Sequence, residues 1–254
     1  MHQKYQNGLP LNRQEEDWKQ LGVPLSRATL ANWIIYCAEN YLRHVYDYFH
    51  RQLRMRKYLM ADEPRVQVLN EPERNPETDS WMWLFRSGED GLPPILLYHY
   101  TETRAKFHAA SFLQGFSGYL ETDGYQGYNN LPDIKHCSCW AHVRRYFTDA
   151  IPKGKEYDYS LPAVQGVQFC SKLFDCERYS KAKNHTAEQR KQFRLEQEKP
   201  ILEAFWNWLD QQHPNRGTRL AKAVNYAQNR KDTLMTYLED GHCSLSNNLS
   251  KNAI

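Results

Sequence analysis

The chain has 254 residues, of which 41% are hydrophobic and 25% charged. These are ordinary globular proportions, and they exclude a disordered tail, a collagen-like fibre and a coiled-coil rod. Its 33 Lys and Arg against 30 Asp and Glu leave a formal charge of +3, too mild to mark a nucleic-acid binder by charge alone.

Much of the apolar content sits in rings, with 17 Tyr, 7 Trp and 10 Phe. No stretch approaches the roughly 18 apolar residues of a membrane span. The opening Met1–Asn7 is polar and lacks the apolar core of a signal peptide, so a cytoplasmic protein is the expectation. The six cysteines are too sparse for a disulfide scaffold. Cys137 and Cys139 lack the second ligand pair of a zinc site.

In chain order, residues 1–12 read as a frayed lead-in. A helix is predicted from about Arg13 to Leu21, stopped by Gly22-Val23-Pro24. Ser26 is a good cap for a second helix from about Arg27, carrying an apolar stripe of Leu30, Trp33, Ile34, Cys37, Tyr41, Leu42 and Val45. The period then changes. Strands are predicted over Tyr58–Glu63, around Val66 and Val68, over Trp81–Phe85 and over Pro94–Tyr100. A short helix over 108–116 separates these from strands at Gly118–Gly124 and Ile134–Trp140. From about 142 to 240 the pattern is helical, with the charged segment Lys181–Lys199 read as a solvated helix and Gly241 as a helix stop.

Three constellations can carry chemistry. Asp62 and Asp123 end two hydrophobic strands 61 residues apart. Carboxylates on neighbouring strand ends can share Mg²⁺, which takes hard oxygen ligands. Two such ions about 3.5–4 Å apart can clamp the attacking and leaving oxygens of a phosphodiester. A strand-terminal Asp before Gly is also a common turn residue, and the pattern leaves both readings open. Residues 13–45 read either as a helix–turn–helix, with Arg27, Thr29 and Asn32 at a helix start suited to DNA, or as a plain helical hairpin. The run His136–Arg145 admits a soft-metal site, a junction whose Arg144 and Arg145 face DNA, or core packing around Cys139 and Trp140.

Six motifs then occur in one order. They are Gly8–Glu15, Gly22–Arg27, Ala61-Asp62-Glu63, Thr122–Tyr128, Cys139–Phe147 and Ser246-Asn247-Asn248-Leu249. In this arrangement the chain resembles the bacterial transposases of the insertion-sequence-66 family, from about residue 7 to 254. The resemblance implies an α/β fold with a ribonuclease-H-like mixed-sheet core of the DDE type. It further implies an N-terminal helix-turn-helix-like, DNA-binding segment over 1–56, a catalytic core over 57–145, a helical insertion over 146–240 and the last catalytic motif over 241–254. Asp62 and Asp123 would be the catalytic acids and the ligands of a two-ion Mg²⁺ site, activating water or a DNA 3′-hydroxyl. The implied partners are DNA at the element's ends and target, and further copies of the chain in a homo-oligomer.

The sequence departs from the family motif at its third acid, a Glu, whose position is Lys251. The family's cysteine-bearing front region and its C-terminal segment are not among these residues, so the sequence reads as truncated at both ends. The expectation is DNA cleavage and strand transfer weakened by Lys251, unless Glu239 or Asp240 replaces the missing acid. The alternatives are a non-catalytic DNA-binding remnant that regulates a full-length transposase, and a nuclease working with two acids. Phosphate contacts are sought among scattered cations, including Arg56, Lys57, Lys181, Arg190, Arg219 and Arg230.

Overall fold

The structure, a computed structural model, describes residues 1–251, with side chains as far as Ser250. The chain divides into two compact units, Met1–Gln52 and Leu53–Ile254.

The first unit is helical. It begins with a helical turn, α1 (His2–Tyr5), where a frayed lead-in is expected. The return from this turn is tied down, because Leu9 N donates to Gln3 O at 2.8 Å and Gln14 Nε2 donates to Leu9 O at 2.8 Å. Helix α2 (Leu11–Gln20) and helix α3 (Arg27–Cys37) form a packed pair. Ser26 caps α3 as expected, its Oγ accepting from Thr29 N at 3.1 Å. A π turn (Ala38–Leu42) leads into α4 (Arg43–Arg54). The predicted apolar stripe is buried only at Leu30. Trp33, Tyr41, Leu42 and Val45 are exposed, as are Trp18 and Leu21 of the hairpin reading.

The second unit is built on a mixed sheet. Its strands are β1 (Tyr58–Asp62), β2 (Arg65–Gln67), β3 (Asp79–Ser87) and β4 (Leu96–Thr101), then β5 (Gly118–Thr122) and β6 (Ile134–Ser138) after helix α5 (Lys106–Phe112). The main order is β4-β3-β1-β5-β6. Strands β1, β3 and β4 pair antiparallel, whereas β1, β5 and β6 pair parallel. Strand β2 continues β1, because the register that sets Leu59 opposite Ser87 returns with Arg65 opposite Trp81. The two are one strand interrupted at Glu63-Pro64. Pro64 has no N–H for the ladder, yet its carbonyl still accepts from Met82 N at 3.0 Å.

Aromatic residues fill both faces of the sheet. Toward α5, Phe85 stacks on Phe112 at 3.8 Å, and buried Trp83 donates from Nε1 to Thr101 Oγ1 at 2.7 Å. On the other face lie α6 (Trp140–Asp149), α7 (Pro162–Ala182), α8 (Ala187–Phe193), α9 (Lys199–Asp210), α10 (Arg219–Gln228) and α11 (Lys231–Met235). Their core holds Trp140, Phe147, Phe205 and Trp206, with Trp140 Nε1 donating to Leu234 O at 2.9 Å. The last helix, α12 (Asn248–Lys251), packs on β1 and β3, where Arg86 Nη1 donates to Leu249 O at 2.8 Å.

The charged segment 181–199 is not wholly solvated. Its π turn (Arg194–Glu198) buries both end residues completely. Arg194 donates from Nε and Nη2 to the two carboxylate oxygens of Glu177, at 2.6 and 3.0 Å, and from Nη1 to Tyr237 O at 3.1 Å. Glu198 Oε2 accepts from Tyr237 OH at 2.7 Å. A buried guanidinium survives because it is paired and its N–H groups are satisfied. Gly241 is held by close approach, since a Cβ there would collide with Ala187 O.

This network has a measurable consequence. Burial, and then the charge of Glu177, push the Glu198 carboxyl up to about 8 from an ordinary 4.5. Folding therefore takes up a proton at Glu198, and this residue's contribution to stability is lost as pH rises from about 4.5 to 8. Denaturant titrations of Glu198→Gln should show a flatter fall in stability between pH 5 and 8 than the parent chain. An unchanged slope would show that Glu198 is ionised in the fold.

Candidate metal-binding carboxylate site

The site follows from one register. Parallel pairing sets Tyr58 opposite Tyr119 and Met60 opposite Glu121. Carried two residues further, the same offset brings Asp62 beside Asp123, on neighbouring strands about 4.8 Å apart. Asp62, Glu63 and Asp123 each offer a carboxylate oxygen, and the three lie within 4.8 Å of one another. Among the described residues this is the one such group of His, Cys, Asp and Glu.

Each acid is fixed by its own surroundings. Asp62 is half-buried at the end of β1, and its Oδ1 accepts from Glu63 N at 3.0 Å. Asp123 follows β5, and its Oδ1 accepts from Tyr125 N at 3.0 Å in a turn closed by its own side chain. Two residues beyond the sheet pin that turn. Tyr226 OH donates to Asp123 O at 2.6 Å, and Arg230 Nη2 donates to Gly124 O at 2.7 Å. Gly124 has φ +90°, and a Cβ there would collide with the Arg230 guanidinium. The Asp-Gly pair is thus required by both backbone conformation and space.

Glu63 is buried and serves as a tie. Its Oε2 accepts from Tyr128 OH at 2.6 Å, and its Oε1 is bound by Arg104. Burial, and then the Asp123 charge, push its carboxyl above the usual range, while Arg104 and Tyr128 pull it back. The Arg104 guanidinium lies 3.7 Å from the centre of the Tyr125 ring and 4.8 Å from that of Trp81. Tyr125 OH in turn bonds Arg104 O. Arg104 therefore links the end of β1 to the turn that carries Asp123.

The donor set is three carboxylates with no nitrogen or sulfur. That chemistry fits a hard cation such as Mg²⁺ or Mn²⁺. Glu63 and Arg104 were not foreseen as parts of the site. The available signal was Pro64, which ends β1 and frees Glu63 from the ladder.

Other expected residues lie elsewhere. Asp240 and Glu239 do not join the group. Asp240 Oδ2 accepts from Lys57 Nζ at 2.8 Å and Tyr58 OH at 2.6 Å, at the opposite end of β1 from Asp62. Burial opposes the Asp240 charge, yet these bonds hold its carboxyl below the usual range. Glu239 binds Lys135 and Tyr119. The side chain of Lys251, and residues 252–254, lie outside the described residues.

In the run 136–145, Cys137, Cys139, Trp140 and His142 are buried and all the cysteines are free thiols, while Arg144 and Arg145 are exposed. Arg27 and Asn32 are exposed at the start of α3, and the Thr29 hydroxyl lies 3.0 Å from the capping Ser26 Oγ. Several candidate phosphate contacts have structural partners. Arg56 pairs with Asp90, Lys57 with Asp240, and Arg219 Nη1 donates to Asp149 O.

A sequence model of the transposase IS66 family matches residues 1–254. Three proteins of Sinorhizobium fredii are similar. The uncharacterized protein y4qI is 29% identical over 99% of this chain and 48% of its own length. The uncharacterized proteins y4hP and y4jD are 26% and 27% identical, covering 96% and 95% of this chain and 47% and 48% of their own lengths. The chain thus spans about half the length of these curated relatives. No solved structure matches it.

Removing the Arg104 side chain leaves a buried carboxylate without its cation. Arg104 keeps 33% of its side chain exposed, so the loss should fall below that of a fully buried pair. Arg104→Ala is expected to cost about 2–3 kcal/mol in denaturant unfolding at pH 7. Adding Glu63→Gln should recover part of that loss. Strict additivity of the two changes would show that the residues are not coupled.

Proposed function

The chain belongs to the IS66 transposase family, and from that membership we propose that it carries the catalytic centre for metal-dependent cleavage and joining of DNA strands. The observation that carries the proposal is the meeting of Asp62 and Asp123 at the ends of two parallel strands, with Glu63 beside them. The strand order β4-β3-β1-β5-β6, with three antiparallel strands followed by two parallel ones, supports a ribonuclease-H-like core. In this reading residues 57–145 form the core and 146–240 a helical insertion. The α2–α3 pair, with Arg27, Thr29 and Asn32, and the exposed Arg144 and Arg145 are its proposed DNA contacts.

Asp62 and Asp123 would hold Mg²⁺, which supplies a nucleophilic oxygen at neutral pH and charge to stabilise the phosphoryl transition state. The protein's own contribution is geometric. The β1–β5 pairing sets the separation of the two acids. Tyr226 and Arg230 hold the Asp123 turn, and Arg104 with Tyr128 holds the Glu63 carboxylate. Rigid placement of this kind is what positions a reacting phosphate.

Position 251 limits the activity. The family motif places its third acid there, and Lys contributes no oxygen ligand. The backbone of α12 rests on β1, the strand that ends in Asp62, and on β3. In this reading the centre binds a divalent ion weakly, and the chain cleaves DNA poorly while retaining DNA binding. A regulator that occupies element ends is the outcome if cleavage is absent altogether.

Isothermal titration with Mn²⁺ tests the reading. The parent chain is expected to bind, and Asp62→Asn or Asp123→Asn to abolish binding. Lys251→Glu should tighten it by at least the roughly 10–100-fold that changes one shell further out produce. It should also raise Mg²⁺-dependent nicking of supercoiled plasmid. Mn²⁺ binding that survives both Asp substitutions would overturn the assignment.

A further inference from the structure

On the second unit, α6, α7 and α12 border an open groove of about 820 Å³. Arg144 and Arg145 line it from α6, Phe174 and Arg178 from α7, and Asn248 from α12. A second groove of about 390 Å³ shares Phe174, Arg178 and Asn248 with the first and adds Lys181. The two form one trough along α7.

Its charge is less balanced than its composition implies. Three acids border it, but Glu177 is bound by buried Arg194 and Asp175 pairs with Arg178. Glu89 remains exposed. Against it stand Arg144, Arg145 and Lys181, which are exposed and have no ion-pair partner among the described residues. At the junction of the two grooves sits half-buried Phe174, its ring centre 5.9 Å from the Arg144 guanidinium carbon. Cations beside an aromatic face suit a single strand, whose phosphates meet the cations and whose unpaired bases stack on rings. A base held in a duplex has no free face to offer.

We infer that this trough binds a single-stranded segment of DNA, with phosphates on Arg144, Arg145 and Lys181 and a base stacked on Phe174. The inference rests on the reading that DNA is the substrate. It adds a strand-binding surface on the helical block, separate from the carboxylate site. Its wall, α12, is also the helix that packs on β1, the strand ending in Asp62.

Fluorescence anisotropy with a labelled 20-nucleotide oligo(dT), in EDTA and at 50–200 mM salt, tests it. The parent chain should bind this probe more tightly than a 20-base-pair duplex. Arg144→Ala/Arg145→Ala should weaken binding and reduce the slope of log affinity against log salt by about 1.4, at about 0.7 per phosphate. Phe174→Leu should weaken it about fivefold or more without changing the slope. Circular dichroism checks that each variant is folded, and the exposed arginines decide the matter if Phe174→Leu is not.

EDTA removes any divalent ion, so oligo(dT) binding is read independently of ion binding at the carboxylate site. Absence of Mn²⁺ binding by the parent chain, with its oligo(dT) binding intact, would strike the carboxylate reading alone. No binding by the parent chain, or unchanged binding in the arginine and Phe174 variants, overturns the trough. Tighter duplex binding through the same residues overturns the single-strand assignment.

Discussion

Two carboxylates 61 residues apart can serve one cation only if the strands that carry them run side by side in the same direction. In this protein that condition is met by the pairing of β1 with β5, which holds Met60 opposite Glu121 and so Asp62 next to Asp123. A slip of one residue would turn either acid to the other face, because side chains alternate along a strand. The register is held by what flanks it. Leu59, Met60 and Ala61 of β1 and Leu120 of β5 are buried among aromatic residues on both faces of the sheet. The acids emerge where the ladder stops, at Pro64 after β1 and at Gly124 after β5.

Two cations inside the second unit are each held by a carboxylate. Arg104 and Glu63 tie the acidic turn to the strand end, and Arg194 with Glu177 ties α7 to the segment leading toward α12. Both cations make contacts with aromatic rings as well as ion pairs. Buried pairs of this sort add little net stability, but losing one partner is costly, so they hold geometry. Three exposed cations without an ion pair among the described residues, Arg144, Arg145 and Lys181, line the trough along α7. A formal charge of only +3 is compatible with a local positive surface because two of the three acids bordering the trough are held in ion pairs while Arg144, Arg145 and Lys181 are not.

Local pattern was legible in the sequence to the extent that each element could be read from its own residues. The strand runs, the Ser26 cap and the two strand-terminal acids are all of this kind. Regions whose state depends on distant partners were not legible. Arg194 and Glu198 look like members of a solvated charged helix until Glu177 and Tyr237 are brought to them. Glu239 and Asp240 stand near the last motif in the chain, yet Lys135 and Lys57 claim them at the far end of the sheet. The stripe from Trp33 to Val45 has helical spacing, and spacing alone did not say that it would stay exposed.

Periodicity and punctuation in the chain were enough to set which segments are strands and where Asp62 and Asp123 fall within them, because backbone preference and side-chain alternation are properties of a few neighbouring residues. Their meeting, the recruitment of Glu63 and Arg104, and the alignment of cations beside Phe174 were decided by tertiary structure. Each depends on parallel pairing or helix packing between segments tens of residues apart, and the hydrogen bonds and burial that select those partners exist only once the chain has folded.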